Sequence, residues 1–338
     1  MLESASWAAT AVAGGGVQGL GVGLLAIPVT PVSVDPFLLG ILLSPWARVV
    51  AFVWGAMWGS FANVVIHRVP LGLSVMRPRS RCPGCETPIA AWDNIPVISY
   101  LVLRGRCRKC GEPFSLRYLM VELLAGVLSF ALYMKLVHLP LVAGGGPSLW
   151  PWLVWLTFGL ALLVITYIDL DYWIIPDIIV LPLAAAGALL AFVQPQWLGI
   201  EWSESLMAGA VGYGLFAGIR LLYLKWRGIE ALGLGDAKLL LMVGAFTGLP
   251  GLVWTIGAGA VQGLIVSVPL LLMGRTVANS DLQEVHGDDP QLGEEDPDAG
   301  VSGQRVPFGP FLAIAALEYV LLRDVIQDWM ASAAGLVG

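Results

Sequence analysis

The stretch that decides the fold runs from Trp152 to Asp171 and reads WLVWLTFGLALLVITYIDLD. Residues 152–168 carry no charge and approach the ~20 apolar residues that a membrane-spanning helix needs. Asp169 and Asp171 follow at once. A carboxylate at membrane depth is costly, so Asp169 is a candidate functional residue.

The composition extends this reading to the whole chain. The chain is 57% hydrophobic and 12% charged, with a mean hydropathy of +0.80 and 14 Trp, which is typical of a polytopic membrane protein. The net charge of −6 is divided unevenly, since nine of 18 Lys and Arg lie in 68–117 and eight of 24 Asp and Glu in 281–298. Neither block resembles a nucleic-acid-binding surface, and the basic block is typical of a topology signal.

Apolar runs predict about eight transmembrane helices in an all-α fold. The runs lie near 49–67, 118–140, 147–168, 174–195, 203–224, 236–250, 251–274 and 307–322. The run near 236–250 is short and rich in glycine. The predicted division of the chain is an N-terminal extension (1–48), a first span (49–67), a polar domain (68–117), a transmembrane domain (118–322) and a tail (323–338).

The distribution of Lys and Arg predicts the orientation of these spans. If the spans alternate, 68–117 and the loops holding Lys225, Arg275 and Arg305 share one side, which the positive-inside rule makes cytoplasmic. Asp169 and Asp236 then both lie at cytoplasmic ends of spans. The acidic loop 276–304 has no apolar periodicity and is predicted to be a disordered, solvated linker.

The four cysteines of the polar domain have the spacing of a metal site. They form two C-x2-C pairs separated by 21 residues, namely Cys82, Cys85, Cys107 and Cys110. Two such pairs complete a tetrahedral four-thiolate zinc site with no position open for water, so we expect a structural metal. The alternative is two redox pairs or disulfides, which a reducing cytoplasmic side disfavours.

Asp169 and Asp236 are the candidate catalytic pair. Two adjacent carboxylates can share one proton, as in aspartic proteases. Asp236 closes Gly233-Leu234-Gly235-Asp236 ahead of an apolar run, and its alternative reading is a helix N-cap. The alternative for Asp171 and Asp177 is solvation at the interface, with Asp177 in the first turn of a helix.

Three further polar residues invite structural readings. Asn63, in a run with small residues at 59, 60 and 62, is expected to hydrogen-bond between packed helices. Glu122 lies one turn inside a span, which suggests a basic partner such as Arg117. Lys238 is expected to extend to the interface, with pairing to a carboxylate as the alternative.

Together these residues resemble the bacterial type IV prepilin leader peptidase and N-methyltransferase family, which also serves type II secretion. The matching stretches run from about Gly59 to Leu322. They are GSFANVVIHRVP (59–70), both cysteine pairs, WDNIPVISYL (92–101), Arg117-Tyr118 with Val121-Glu122, Ile168-Asp169 through Pro176-Asp177, GLGDAKLL (233–240) and PFGP (307–310). The extension before Gly59 and the acidic loop depart from the family pattern.

The resemblance implies an intramembrane aspartic peptidase of the GxGD type in the bacterial inner membrane, with Asp169 and Asp236 catalytic. Its substrates would be prepilins and pseudopilins, cut on the cytoplasmic side between a basic leader and an apolar helix. It also implies methylation of the new N-terminus from S-adenosyl-L-methionine, a function associated with the four-cysteine domain. No nucleotide-binding fingerprint is visible, so the donor-binding residues are unknown from the sequence.

Two other classes of protein remain as alternatives. A proton- or ion-coupled transporter would also use intramembrane Asp residues, but near the membrane midplane at interrupted helices. A zinc-dependent scaffold for a secretion assembly would carry out no chemistry. We expect contacts with membrane lipids in every case.

Overall fold

The computed structural model describes residues 35–146, 148–228, 233–272 and 307–335. Within these ranges the protein is helical and has no strand, only two isolated β-bridges. In chain order the helices are α1 (Pro36–Leu43), α2 (Pro45–Arg68), α3 (Ile98–Val102), α4 (Leu116–Tyr133), α5 (Leu139–Val142), α6 (Leu149–Tyr172), α7 (Asp177–Val193), α8 (Pro195–Leu198), α9 (Trp202–Arg227), α10 (Leu234–Leu272) and α11 (Gly309–Ala333). A 3₁₀ turn (Ala91–Asn94) precedes α3, and a π-helical turn (Met134–His138) joins α4 to α5.

Among the described residues, five helical segments are long and apolar enough to cross a membrane. They are Pro45–Arg68, Leu116–Val142, Leu149–Tyr172, Trp202–Arg227 and Leu234–Pro269, while α7 is a shorter apolar helix. The prediction of a helical membrane protein is thus confirmed. The predicted runs near 236–250 and 251–274 correspond to two helical segments of α10, which are separated by a kink at the non-helical residue Gly248 (φ 70°, ψ −171°).

Two boundaries differ from the predicted ones, and two predictions fall outside the described residues. Helix α11 is kinked at Leu322 (φ −114°, ψ 20°), where the run was predicted to end, and a further helical segment reaches Ala333; in this segment Arg323 is buried, with its guanidinium donating to backbone carbonyls. The first span begins at Pro45, four residues before the predicted start. Most of the extension, and the loop 276–304, lie outside the described ranges.

Helix α6 forms the centre of the molecule. It contributes to both hydrophobic core clusters, and Phe158 on α6 stacks on Phe246 of α10 with ring centroids 4.5 Å apart. Its apolar segment is 61% buried, compared with 67% for α10 and 28% for α9. Asp169 therefore lies at the end of a helix that is largely enclosed by other helices.

Helices α2 and α4 pack closely through small residues, as predicted. A β-carbon added at Gly59 would lie 2.7 Å from Ala125 Cβ, so only glycine permits this approach. Asn63 donates from Nδ2 to the Tyr118 carbonyl over 3.1 Å, which confirms the predicted interhelical hydrogen bond. This contact fixes the end of α2 beside the start of α4, on either side of the four-cysteine domain.

Candidate functional site

Asp169 lies in the last turn of α6 and is only 5% exposed. Its carbonyl accepts a hydrogen bond from Trp173 N over 3.1 Å, and Trp173 ends the helix in the left-handed conformation (φ 54°). The chain then turns through Ile175 and starts α7 at Asp177. The local sequence thus ends an apolar helix one turn after the carboxylate.

Asp236 lies in the first turn of α10 and is 9% exposed. Because α10 begins at Leu234, Asp236 is inside the helix and is not its N-cap, so that alternative is wrong. An acidic residue in a first turn interacts favourably with the helix dipole.

The structure brings these two aspartates together. They lie close enough for an electrostatic interaction between them, and the Gly309 N–H at the start of α11 donates a hydrogen bond to the Asp169 carboxylate. Ile175 packs between α10 and α11, since a β-carbon added at Gly235 would lie 3.0 Å from its Cβ and one at Gly309 3.1 Å from its Cδ1. Three helix ends therefore meet around two buried carboxylates.

Glycine at position 309 is a functional feature that the sequence reasoning did not single out. A β-carbon added there would overlap the Asp169 carboxylate. The available signal was the matched stretch 307–310, although nothing in its local pattern indicates which distant side chain Gly309 contacts.

The neighbouring carboxylates each pair with a cation. The reading of Asp171 as a solvated residue is wrong, whereas Asp177 is half exposed and lies in the first turn of α7, as predicted. Arg117 Nη1 donates to Asp171 Oδ1 over 2.6 Å, and its Nη2 donates to the Tyr167 carbonyl over 3.1 Å. Arg117 also lies 4.7 Å from the centroid of the Tyr167 ring. This pair joins the start of α4 to the end of α6, and so places Asp169 at the end of the bundle that carries the four-cysteine domain.

Lys238 donates to both oxygens of Asp177 over 2.7 Å, so the expectation that it simply extends to the interface is wrong. The pair joins the first turns of α7 and α10. Glu122 does not pair with Arg117; its Oε2 accepts from Val97 N over 2.7 Å, and Ser60 hydrogen-bonds the same carboxylate.

The four cysteines form one cluster. Their Sγ atoms all lie within 4.8 Å of one another, with 3.6 Å between Cys82 and Cys110 and 4.0 Å between Cys85 and Cys107. A tetrahedral ion with Zn–S bonds of about 2.3 Å would hold its sulfurs ~3.8 Å apart. The cluster therefore fits a metal with four thiolate ligands.

The cluster is built from two copies of one turn, residues 81–88 and 106–113. In each copy the N–H of the first cysteine donates to the carbonyl five residues later, over 3.0 and 2.8 Å, and a β-bridge joins the first and last residues. The residue after the second cysteine has positive φ in both, 51° at Glu86 and 77° at Gly111. The repeat is visible in the sequence as R-C-x-x-C-x-x-P, a stronger signal than cysteine spacing alone.

Hydrogen bonds within these turns favour the thiolate form that binds metals. Bonds from the side chain and backbone of Thr87 lower the pKa of Cys85 to about 6. The backbone N–H groups of Cys110 and Lys109 lower the pKa of Cys107. Against the Glu112 backbone hydrogen bond, which lowers it, desolvation and the neighbouring thiols raise the pKa of Cys110 to about 12, so the turns favour the thiolate at Cys85 and Cys107 and not at Cys110.

A cavity of about 300 Å³ lies between the end of α2 and the first cysteine turn. Arg68, Arg79, Ser80 and Asn94 supply its polar groups, the remaining lining is apolar except for backbone atoms, and no carboxylate lines it. Arg68 also donates to the Ser74 carbonyl over 2.9 Å. The volume of the cavity is at the lower end of the range for sites that bind small molecules.

Comparisons with known proteins match both parts of this arrangement. A family model described as the bacterial peptidase A24 N-terminal domain matches residues 53–136, and a model of the type IV leader peptidase family matches 156–268. A prepilin leader peptidase/N-methyltransferase of Myxococcus xanthus is 37% identical over 320 aligned residues, covering 82% of this chain and 91% of that protein. The corresponding protein of Aeromonas hydrophila is 33% identical, covering 84% of this chain and 94% of its own length.

The chain belongs to the type IV leader peptidase family. The resemblance drawn from its motifs is therefore confirmed. The first matched range contains the four cysteines, and the second contains Asp169 and Asp236 but ends before Gly309. No solved structure matches the chain.

Proposed function

We propose that this type IV leader peptidase removes the basic leader of prepilins and pseudopilins with Asp169 and Asp236 as its catalytic pair, then methylates the new N-terminus. The observation that carries the peptidase proposal is the meeting of two buried carboxylates at one end of the helical bundle. The names of the relatives support the substrate class and both activities.

The pair supplies acid–base catalysis. One carboxylate, ionised, removes a proton from a water molecule as it attacks the scissile carbonyl. The other, protonated, donates its proton to the carbonyl oxygen, and the roles exchange when the leaving amine is protonated. The Gly309 N–H holds one Asp169 oxygen in place, so that the carboxylate keeps its orientation during both steps.

For the membrane arrangement we propose eight spans in the bacterial inner membrane, with the four-cysteine domain on the cytoplasmic side. The bend at Gly248 divides α10 into two spans, and α7 and α11 add two more to the other four candidate helices. The concentration of Lys and Arg in 68–117 supports the orientation. In this arrangement the catalytic pair lies on the cytoplasmic side, and the basic leader of the substrate is cut on that same side.

For the cysteine cluster we propose zinc, held by four thiolates in a structural role. All four sulfurs are within ligand distance of a single ion, which leaves no coordination position for water. The metal would fix the two turns relative to each other and thus the shape of the domain between α2 and α4.

S-adenosyl-L-methionine supplies the methyl group, and we propose the cavity beside Arg68 and Arg79 as its binding site. The guanidinium groups can bind the carboxylate of the donor in a bidentate manner. Ser80 and Asn94 add hydrogen-bonding groups, and the apolar lining suits the adenine ring. The absence of a lining carboxylate disfavours the basic leader as an occupant.

Leader cleavage of a purified prepilin tests the peptidase proposal. We expect Asp169→Asn and Asp236→Asn each to lower the rate by about 10²–10⁴-fold, the usual contribution of a positioned acid or base. Asp324→Asn is the matched control. Asp324 pairs with Lys135 and lies fifteen residues along α11 from Gly309, which corresponds to ~22 Å along the helix. Full cleavage by Asp169→Asn or Asp236→Asn would exclude a catalytic role for that residue and favour the transporter alternative.

A further inference from the structure

The four-cysteine domain carries an apolar surface that faces no other part of the described chain. Between residues 92 and 102, five large apolar side chains are 45–68% exposed. They are Trp92, Ile95, Ile98, Leu101 and Val102. A dense group of exposed apolar residues marks an interaction surface in a soluble domain.

A hydrogen bond joins this segment to a candidate membrane-spanning helix. Val97 N donates to Glu122 Oε2 over 2.7 Å. Glu122 is six residues past Leu116, where the candidate span begins, and is therefore about 9 Å inside it along the helix axis. Val97 itself forms the centre of a γ-turn (φ 63°, ψ −52°), with Ile98 N donating to the Pro96 carbonyl over 2.6 Å. The segment is thus bent toward the second turn of a membrane-spanning helix.

The helix to which this segment is hydrogen-bonded also has an exposed apolar face. Leu116, Met120, Leu124 and Val127 form an exposed apolar stripe along α4, with exposures of 60%, 44%, 43% and 54%. This stripe is the face that α4 offers to lipid. Glu122 lies about 160° around the helix axis from Met120, on the side of α4 where Gly59 of α2 packs, so residues 98–102 reach the depth at which the stripe begins but beside another face of the helix.

The charge of the domain matches this location. Residues 68–117 contain nine Lys and Arg against three Asp and Glu. Basic side chains beside an exposed Trp and aliphatic residues are the composition of segments that lie at the headgroup level of anionic membranes.

We infer that residues 92–102 lie in the bilayer interface, with Ile98, Leu101 and Val102 among the outer acyl chains. The four-cysteine domain is then held against the membrane surface by its own chain. If the proposed function holds, a new N-terminus released at the ends of α6 and α10 emerges beside this domain; the membrane contact itself does not depend on that function.

Depth measurement by electron paramagnetic resonance tests this placement. A nitroxide is attached through a genetically encoded ketone amino acid at position 101, which leaves the four cysteines unmodified, in full-length protein in nanodiscs containing phosphatidylglycerol. The matched control carries the label at Lys109, an exposed residue of the second cysteine turn. We expect collisions with O₂ to exceed those with a water-soluble nickel chelate at position 101, and the reverse at position 109.

Equal access of the nickel chelate to both positions would overturn the inference. The inference would also be overturned if the nickel chelate reaches the label at position 101 in the protein without substrate and no longer reaches it after a prepilin is added. The segment would then be a substrate-docking surface. Shielding that is present without substrate and unchanged by it supports the membrane placement, whether or not the dyad variants cleave.

Discussion

Replacement of Gly309 by Ala tests how closely α11 approaches the catalytic pair. The backbone of Gly309 does not have positive φ, so alanine can adopt it, and the effect is that of one methyl group. That methyl would overlap the Asp169 carboxylate and lie 3.1 Å from Ile175 Cδ1. Relief of the overlap needs a shift of the carboxylate or of α11.

The magnitude follows from these contacts. Overpacking of a well-packed interior costs about 1–3 kcal/mol of stability. Displacement of a catalytic group by ~1 Å costs about 10²-fold in rate. We therefore expect Gly309→Ala to cleave prepilin about 10²-fold more slowly while it remains folded in detergent.

Two glycines of α10 provide a graded control. A β-carbon at Gly257 would meet nothing within 4 Å, so Gly257→Ala should match the wild type. Gly235→Ala, with 3.0 Å to Ile175 Cβ, should give an intermediate loss. Initial rates of leader cleavage and thermal unfolding are measured for all three variants, and a wild-type rate for Gly309→Ala would refute the proposed geometry.

The remaining predictions concern the ion pairs and the metal. Lys238→Met should lower stability by less than ~1 kcal/mol, because its partner Asp177 is half exposed, and thermal unfolding of the double variant with Asp177→Asn should show little further change. Arg117→Met should cost about 1–3 kcal/mol, since it leaves Asp171, whose side chain is 15% exposed, without its donor; Arg117→Lys should restore part of this, and equal stability of both variants would contradict it. Cys82→Ser should lower the bound zinc measured by elemental mass spectrometry and abolish the N-terminal methyl group of the processed substrate, while leader cleavage continues. Methylation that survives loss of the metal would show that methyl transfer does not need the metal-bound domain.

The sequence predicted those parts of the site that depend on local pattern. Apolar runs end at Asp169 and begin after Asp236, so the positions of both carboxylates at helix ends could be read directly. The cysteine ligands were predictable because each pair forms a turn of fixed geometry, whose spacing is independent of the rest of the fold.

The parts that failed depend on residues distant in the chain. Hydropathy and local pattern gave Asp171 and Asp177 no partner and could not say which carboxylate would pair with Lys238, because pairing requires the ends of α4, α6, α7 and α10 to meet. The helical segment that follows the kink at Leu322 was missed for a related reason, since Arg323 ends the apolar run. Arg323 can be buried there because the Leu198 and Gly199 carbonyls accept hydrogen bonds from its guanidinium. These carbonyls are too distant in the sequence for a local pattern to reveal the contact.

A cryo-electron microscopy structure of the protein with an uncleaved prepilin tests the central claim most directly. The account predicts that the scissile carbonyl lies between Asp169 and Asp236, with a carboxylate oxygen of each within about 2.6–3.2 Å of one water molecule or of the peptide itself. Carboxylates that face separate cavities, or a scissile bond held away from both, would contradict it.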